Sequence, residues 1–363
     1  MIVVRVSGVA DFAELGVRWR DLEQRATGSF FQSWTWTGCL AAERFPNPVL
    51  AEATENGRTV ALALFNRTGR RVGPDRLSLG ESGMPELDCP YIEQNGVLTV
   101  AGRTDELTRL CLREVASRYD VVLPGVREAT VAAVRRPAGL VSVSRSQASP
   151  FVDLAGLRQS GGDYLAGRGT NTRQQIRRSG RFYEQAGPVV AQPAGSVAAA
   201  HALLDELSIL HQAAWTGRGK PGSFAHPFFR RFHQQLIAVA IPRGEAVLLR
   251  VSSGGRPIGI LYNFVHRGRM LAYQSGFAYR REEPRAKPGL TCHYEAIRMA
   301  LAQGLDTYEF LAGDDRYKRS LADGAYRQVW AECGPLYSPR LLLRCMLEMR
   351  RHRPEAEAIR ANR

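Results

Sequence analysis

Apolar, β-branched and aromatic residues gather into short runs in the second half of the chain, at Val247–Val251, Ile258–Val265 and Met270–Ser275. Gly254-Gly255 and Arg267-Gly268 separate these runs, and the combination predicts a three-stranded meander. Lys287-Pro288-Gly289 then opens a helix-like run that reaches Gln303. Proline suits a first helical turn, where its missing N–H costs nothing, and glycine there lets a ligand approach the backbone. Beyond it the pattern predicts a strand at Thr307–Leu311, a turn or short helix at Asp314–Leu321, a closing strand at Tyr326–Cys333 and a helix at Arg340–Arg351.

The first half interleaves both periods. Met1–Ser7 alternates as a strand. Phe12, Leu15, Trp19 and Leu22 recur at three- and four-residue steps and predict an amphipathic helix over Asp11–Arg25. Ser33 is a candidate N-cap for a helix reaching Arg44. Val49–Glu55 and Thr59–Arg67 flank Asn56-Gly57, a strong hairpin signal. Further strands are expected at Leu77–Leu79, at Asp120–Leu123 (bounded by Pro124-Gly125), at Leu140–Val143 and at Phe151–Leu154, with a helix at Thr104–Ser117. Helices are also expected over Gln174–Tyr183, over Val197–Ala214 and from His226 to about Val239, with a short strand at Pro188–Ala191 between the first two. The expected class is α/β, as two lobes of mixed, mainly antiparallel sheet flanked by helices. They span residues 1–150 and 151–338, and a helix and polar tail follow over 339–363.

Charge divides along the same line. Residues 1–150 carry 18 arginines against 17 carboxylates, whereas the remainder carries 31 basic against 18 acidic residues in a chain of net charge +14. Such a field attracts an anion: a phosphorylated cofactor, nucleic acid or an acidic membrane surface. No window holds the roughly 18 apolar residues of a membrane span, and Met1-Ile-Val-Val-Arg-Val lacks the pattern of a signal peptide. Peripheral membrane contact stays open. The six cysteines are scattered without a Cys-x-x-Cys pair, so neither a disulfide framework nor a metal site is expected, and a cytoplasmic location fits. The loop Trp215-Thr-Gly-Arg-Gly-Lys-Pro-Gly222 lacks the pattern of a nucleotide P-loop.

The candidate chemistry centres on anions and acyl groups. A helix beginning at Pro288 offers free N–H groups and a positive dipole end to a phosphate, and Arg285 and Lys287 add charge. Arg173, Arg177 and Arg181 recur every four residues on one helical face, either as a solvated basic surface or as an anion-binding one. Trp215 and Phe224 could line an acceptor cleft or cap the core.

At Trp215-Thr-Gly-Arg-Gly, Phe228, Pro257-Ile-Gly, Tyr273-Gln-Ser-Gly-Phe277, Lys287-Pro-Gly289, Gly304-Leu-Asp and Phe310-Leu-Ala-Gly-Asp-Asp-Arg-Tyr-Lys318, the sequence resembles the CelD/BcsL-type acyltransferases. These are a branch of the GNAT superfamily related to the FemAB-type peptidoglycan aminoacyltransferases. The likeness covers roughly residues 150–335. It implies two GNAT-like lobes, the second holding the acyl donor, and an acceptor that is a small molecule, a sugar or a cell-envelope precursor of polysaccharide biosynthesis. The pyrophosphate loop of ordinary GNAT enzymes corresponds here to Arg285-Ala-Lys-Pro-Gly289, without its double glycine. Either acetyl- or another acyl-coenzyme A, or an aminoacyl-tRNA, remains open as the donor, and a non-catalytic protein of the same fold that holds RNA or another anion on its basic face is the remaining alternative. No stable nucleic-acid complex is expected under the first alternative.

Amide formation from a thioester needs a deprotonated amine, a donor for the oxyanion and a proton for the leaving thiolate. Strand N–H groups near Tyr273 and Gln274 are candidates to polarise the carbonyl. Lys287, Pro288, Gly289 and Leu290 are candidates to hold the cofactor, with Arg285 and Gln274. Asp314 or Asp315, or His293, is the candidate base, Tyr317 the acid, and Lys318 a holder of phosphate or carboxylate. Each has a plain structural alternative: Asp314 as a helix cap, Tyr273 as sheet packing, His293 as a satisfied helix histidine. Arg173, Arg177, Trp215 and Phe224 are candidates for the acceptor side.

Overall fold

The alternating residues that open the chain form β1 (Ile2–Gly8). Asp11 then caps α1 (Phe12–Gln24), its Oδ1 accepting from the N–H groups of Ala13 and Glu14. The structure is a computed structural model that describes every residue except 136–138, 281, 314 and 349–363. Two compact units emerge: Met1–Ser146 together with the chain from Arg327 onward, and Gln147–Tyr326.

In the first unit, Ser33 does cap a helix, but only α2 (Trp34–Thr37). The single helix expected to reach Arg44 is broken. Gly38 lies under the Trp34 ring, where a Cβ would stand 2.5 Å from Cε2, and Leu40 turns left-handed (φ 51°) before α3 (Ala41–Arg44). The hairpin β2 (Pro48–Glu55) and β3 (Arg58–Thr68) turns at Asn56 and Gly57 with φ of 51° and 76°, as the Asn-Gly pair requires. β4 (Arg76–Leu79), β5 (Leu98–Thr99), α4 (Thr104–Ala116), β6 (Asp120–Arg127) and α5 (Glu128–Val134) follow. Pro124-Gly125 lies inside β6 instead of ending it. Gly125 takes φ 58° and the ladder shifts register there, so the pair makes a bulge. The strands expected at Leu140–Val143 and Phe151–Leu154 are parts of one, β7 (Leu140–Asp153). With β13 (Gly324–Gly334), the strand order is β1-β2-β3-β4-β6-β13, antiparallel except for β4 beside β6. Leu107, Cys111, Leu112 and Val115 of α4 share a core with Ala51, Phe65 and Val121, while Leu15, Trp19 and Leu22 of α1 pack with Leu50, Leu62 and Leu64.

The second unit contains α6 (Leu154–Gln159), α7 (Thr170–Glu184), β8 (Val189–Pro193), α8 (Val197–Thr216), α9 (Pro227–Ala240), β9 (Ala246–Ser253), β10 (Arg256–His266), β11 (Arg269–Phe277), α10 (Pro288–Ala302), β12 (Thr307–Glu309) and α11 (Arg316–Leu321). Its strand order is β7-β12-β11-β10-β9-β8, antiparallel except for β11 beside β12. Both meander turns are tight left-handed pairs, Gly254-Gly255 and Arg267-Gly268. α10 buries Cys292, Ala296, Ile297 and Ala300 with Ile258, Met270 and Tyr308. α8 sits directly on β11: a Cβ at Gly276 would come within 2.6 Å of the Leu207 carbonyl.

One irregularity positions the site. β11 pairs with β10 out to Phe277, but with β12 only over Arg269–Leu271. Leu311 then turns away with φ 59°. The parallel strands therefore splay. Within β11, Tyr273 is the extra residue of a bulge, since Gln274 pairs with Tyr262 and Ala272 with Asn263.

Candidate active site

A cleft of about 790 Å³ opens at the splayed end of β11. Leu210, Ala213 and Ala214 of α8 wall one side, Phe277 and Ala278 form its floor, and Lys287, Pro288, Gly289 and Leu290 of the α10 start face them. The sequence yields this start because Pro288 occupies the first turn of α10 and the cap residue, Lys287, has no capping side chain. Ser179 of α7 replaces the cap. Its buried Oγ accepts from the Lys287 N–H at 3.0 Å and lies 2.8 Å from Thr291 Oγ1. The remaining first-turn N–H groups of α10, those of Gly289 and Leu290, have no partner within a helix of this geometry.

The cleft is basic and aromatic at once. Arg218, Arg280 and Lys287 line it. The guanidinium carbons of Arg280 and Arg285 lie 6.0 and 5.6 Å from the centre of the same ring, Phe182, so one aromatic ring gathers two like charges. Arg285 also reaches Glu283 at 3.7 Å across an exposed pair. Concentrated positive charge beside a helix N-terminus suits a phosphorylated ligand.

Tyr317 lines the cleft at 36 % exposure, and its ring stacks on His293 with centroids 5.7 Å apart and planes at 23°. Burial, with the carboxylate of Asp315 adding to it, pushes the Tyr317 phenol up, so it holds its proton at neutral pH. His293 is 3 % exposed, and its Nδ1 shares a 2.8 Å hydrogen bond with the Tyr308 hydroxyl. Burial, and behind it the Lys318 charge, pulls this imidazole down to about 3, which keeps it neutral. Lys318 donates to the Ala312 carbonyl at 3.0 Å and so ties down the loop after β12. Asp314 lies outside the described residues. The cap position of α11 belongs to Asp315, whose side chain makes no capping hydrogen bond.

The structure thus brings Lys287, Pro288, Gly289, Leu290 and Tyr317 to one cleft, with Arg285 beside it on Phe182. Other candidates sit elsewhere in the same unit. Tyr273 is buried among His233, Tyr262 and Phe264. Gln274, opposite Tyr262, is buried in the bulge. Trp215 stacks on His211, and Phe224 meets His211 and Phe229 edge-on. His211 anchors this group to β11, its Nδ1 lying 3.1 Å from the Ser275 carbonyl. Arg173 is half-buried and Arg177 exposed on α7, and neither lines the cleft. Arg218, Arg280 and Ser179 escaped the sequence reading. Arg280 carried a usable signal, a basic pair directly after an apolar strand. Ser179 carried none, because its partner lies 108 residues away.

Residues 170–319 match the family model described as an acetyltransferase (GNAT) domain. No curated protein matches the chain. Among solved structures, FemX is similar at 9 % identity, a TM-score of 0.59, and coverage of 93 % of this chain and 99 % of that one. L-PGS from Bacillus licheniformis is similar at 11 % identity and a TM-score of 0.56, covering 90 % and 94 %. The C-terminal domain of a protein described as a lysylphosphatidylglycerol synthetase from Agrobacterium fabrum gives 11 % identity and a TM-score of 0.54, covering 89 % and 92 %. At such identities the likeness is one of fold. The cleft-bearing segment, residues 170–319, is thus similar to a GNAT acetyltransferase domain and lies within an α/β chain folded like these proteins.

Proposed function

We propose that the second unit is an N-acyltransferase that takes its acyl group from an acyl-coenzyme A bound in this cleft and delivers it to an amine, or a hydroxyl, of a sugar or cell-envelope precursor. The observation that carries the reading is the meeting of three features at one place: the splayed end of β11, the start of α10 with its Gly289 and Leu290 N–H groups outside the helical ladder, and the basic group Arg218, Arg280 and Lys287. The pyrophosphate would lie on the α10 N-terminus and Lys287, with Arg280 and Arg285 meeting further phosphate charge. Backbone N–H groups on the open edge of β11 would polarise the thioester carbonyl. The acceptor nitrogen then forms its bond to the carbonyl carbon, the C–S bond breaks, and the Tyr317 phenol supplies the thiolate's proton. The amine's own proton passes to a carboxylate near the start of α11 or to water. A CelD/BcsL-type role in envelope polysaccharide synthesis is the specific form of this reading.

A second reading uses aminoacyl-tRNA as donor. It is favoured by the fold likeness to FemX and by the exposed arginines Arg177, Arg178 and Arg181 on α7, the helix that holds the α10 start. Thiol release from acetyl- and longer acyl-coenzyme A, measured with a panel of amine-bearing sugars and envelope precursors, separates the two. Saturable, acceptor-dependent release supports the first reading. Transfer from charged tRNA with no thioester turnover replaces it with the second, and such binding should weaken steeply with salt.

A further inference from the structure

Two arginines at the edge of the cleft share one aromatic support. Arg280 and Arg285 are both exposed, and each guanidinium lies against the Phe182 ring, 6.0 and 5.6 Å from its centre. Stacking of this kind holds the planar group while leaving its N–H donors for a ligand. Two like charges gathered on one ring repel, and little nearby relieves them. Among the described residues Arg280 has no carboxylate partner, and Arg285 reaches Glu283 at 3.7 Å in an exposed pair, a kind that contributes little. The position of the ring is set by α7. Phe182 follows Ser179 by three residues, and Tyr183 meets it edge-on with centroids 5.3 Å apart. The arginine pair is therefore mounted about one helical turn along α7 from the residue that holds the Lys287 N–H.

We infer that this group is the subsite for the 3′-phosphate of coenzyme A, and that through it the second unit distinguishes coenzyme A from its 3′-dephospho form. The inference rests on the acyl-coenzyme A reading, in which the pyrophosphate lies on the α10 N-terminus and Lys287. The ribose that carries this pyrophosphate at C5′ carries a phosphomonoester at C3′, so a second anion stands one sugar away from the first. Arg280 and Arg285 hold a second centre of positive charge, offset from the α10 start along α7. A phosphomonoester bears about 1.5 to 2 negative charges at neutral pH, which two guanidinium groups match. The planar fork of each also suits paired phosphate oxygens, as a lone ammonium does not. Tyr183 brings a further donor to this place. Its hydroxyl is buried without a hydrogen-bond partner among the described residues, within range of the Arg280 charge, and an unmet donor is costly to bury.

Calorimetric titration of the full chain with acetyl-coenzyme A and with its 3′-dephospho analogue tests this. The parent should bind the dephospho form about tenfold more weakly or worse, and the gap should narrow as salt rises. In Arg280→Gln with Arg285→Gln the two ligands should bind within about threefold of each other. Lys287→Gln should weaken both ligands and keep the gap, because it acts on the pyrophosphate that they share. All three substitutions fall on exposed side chains, so the variants should keep the parent's melting temperature. A parent that binds the two ligands alike would overturn the inference and leave the coenzyme A reading standing, and so would a gap that the arginine variant retains. No binding of either thioester would contradict the coenzyme A reading itself, and this inference with it.

Discussion

Tyr317 lines the cleft and stacks its ring on His293, so the two residues divide the work of the position. The phenol can donate a proton, while the imidazole beneath it is held neutral and fixed by Tyr308. Removing only the hydroxyl, in Tyr317→Phe, should lower kcat by about 10²–10⁴, the usual worth of a general acid, with acyl-coenzyme A affinity and melting temperature nearly unchanged. Full retained activity would remove Tyr317 from the chemistry. His293 makes a separate prediction through pH. Its folded value of about 3 lies below the ordinary 6.5, so between them the unfolded chain binds the extra proton and stability rises with pH. That contribution is complete above pH 6.5 and is lost on acidification, by about 2 kcal/mol at pH 5. Urea unfolding from pH 8 to pH 5 should show the decline, and His293→Gln should flatten it.

At the scale of elements, the start of α10 is held by a side chain from α7. Ser179→Ala strips the Lys287 N–H and Thr291 Oγ1 of a buried partner and should cost about 1–2 kcal/mol in urea unfolding. Acyl-coenzyme A affinity should fall several-fold, because the first-turn N–H groups lose their fixed direction. Lost stability with unchanged affinity would mean that charge alone, without helix geometry, holds the ligand. This contact also marks where sequence reading ends. The meander, its two left-handed turns and the Pro-Gly helix start were legible because glycine and proline act on the residues beside them. The break at Gly38 was not, because it depends on where the Trp34 ring lies, nor was the Pro124-Gly125 bulge, which depends on the opposite strand. Lys287 and Tyr317 could be named from local pattern. Their meeting in one cleft, the pairing of Arg280 and Arg285 on Phe182, and the support of Ser179 come from contacts that no spacing announces.

For the whole molecule, the uneven charge seen in the sequence has a structural counterpart. The nearly neutral first 150 residues leave the excess of basic residues to the remainder, and the cleft in the second unit draws Arg218, Arg280 and Lys287 from it. The central claim is that this cleft holds the phosphates of an acyl-coenzyme A, and calorimetric titration of the purified chain with acetyl-coenzyme A and a longer acyl-coenzyme A tests it most directly. The expected result is saturable binding with a dissociation constant on the order of micromolar, weakened at least tenfold by Lys287→Glu, which sets a negative charge at the helix N-terminus. No binding to either thioester, or binding that Lys287→Glu leaves unchanged, would contradict the account.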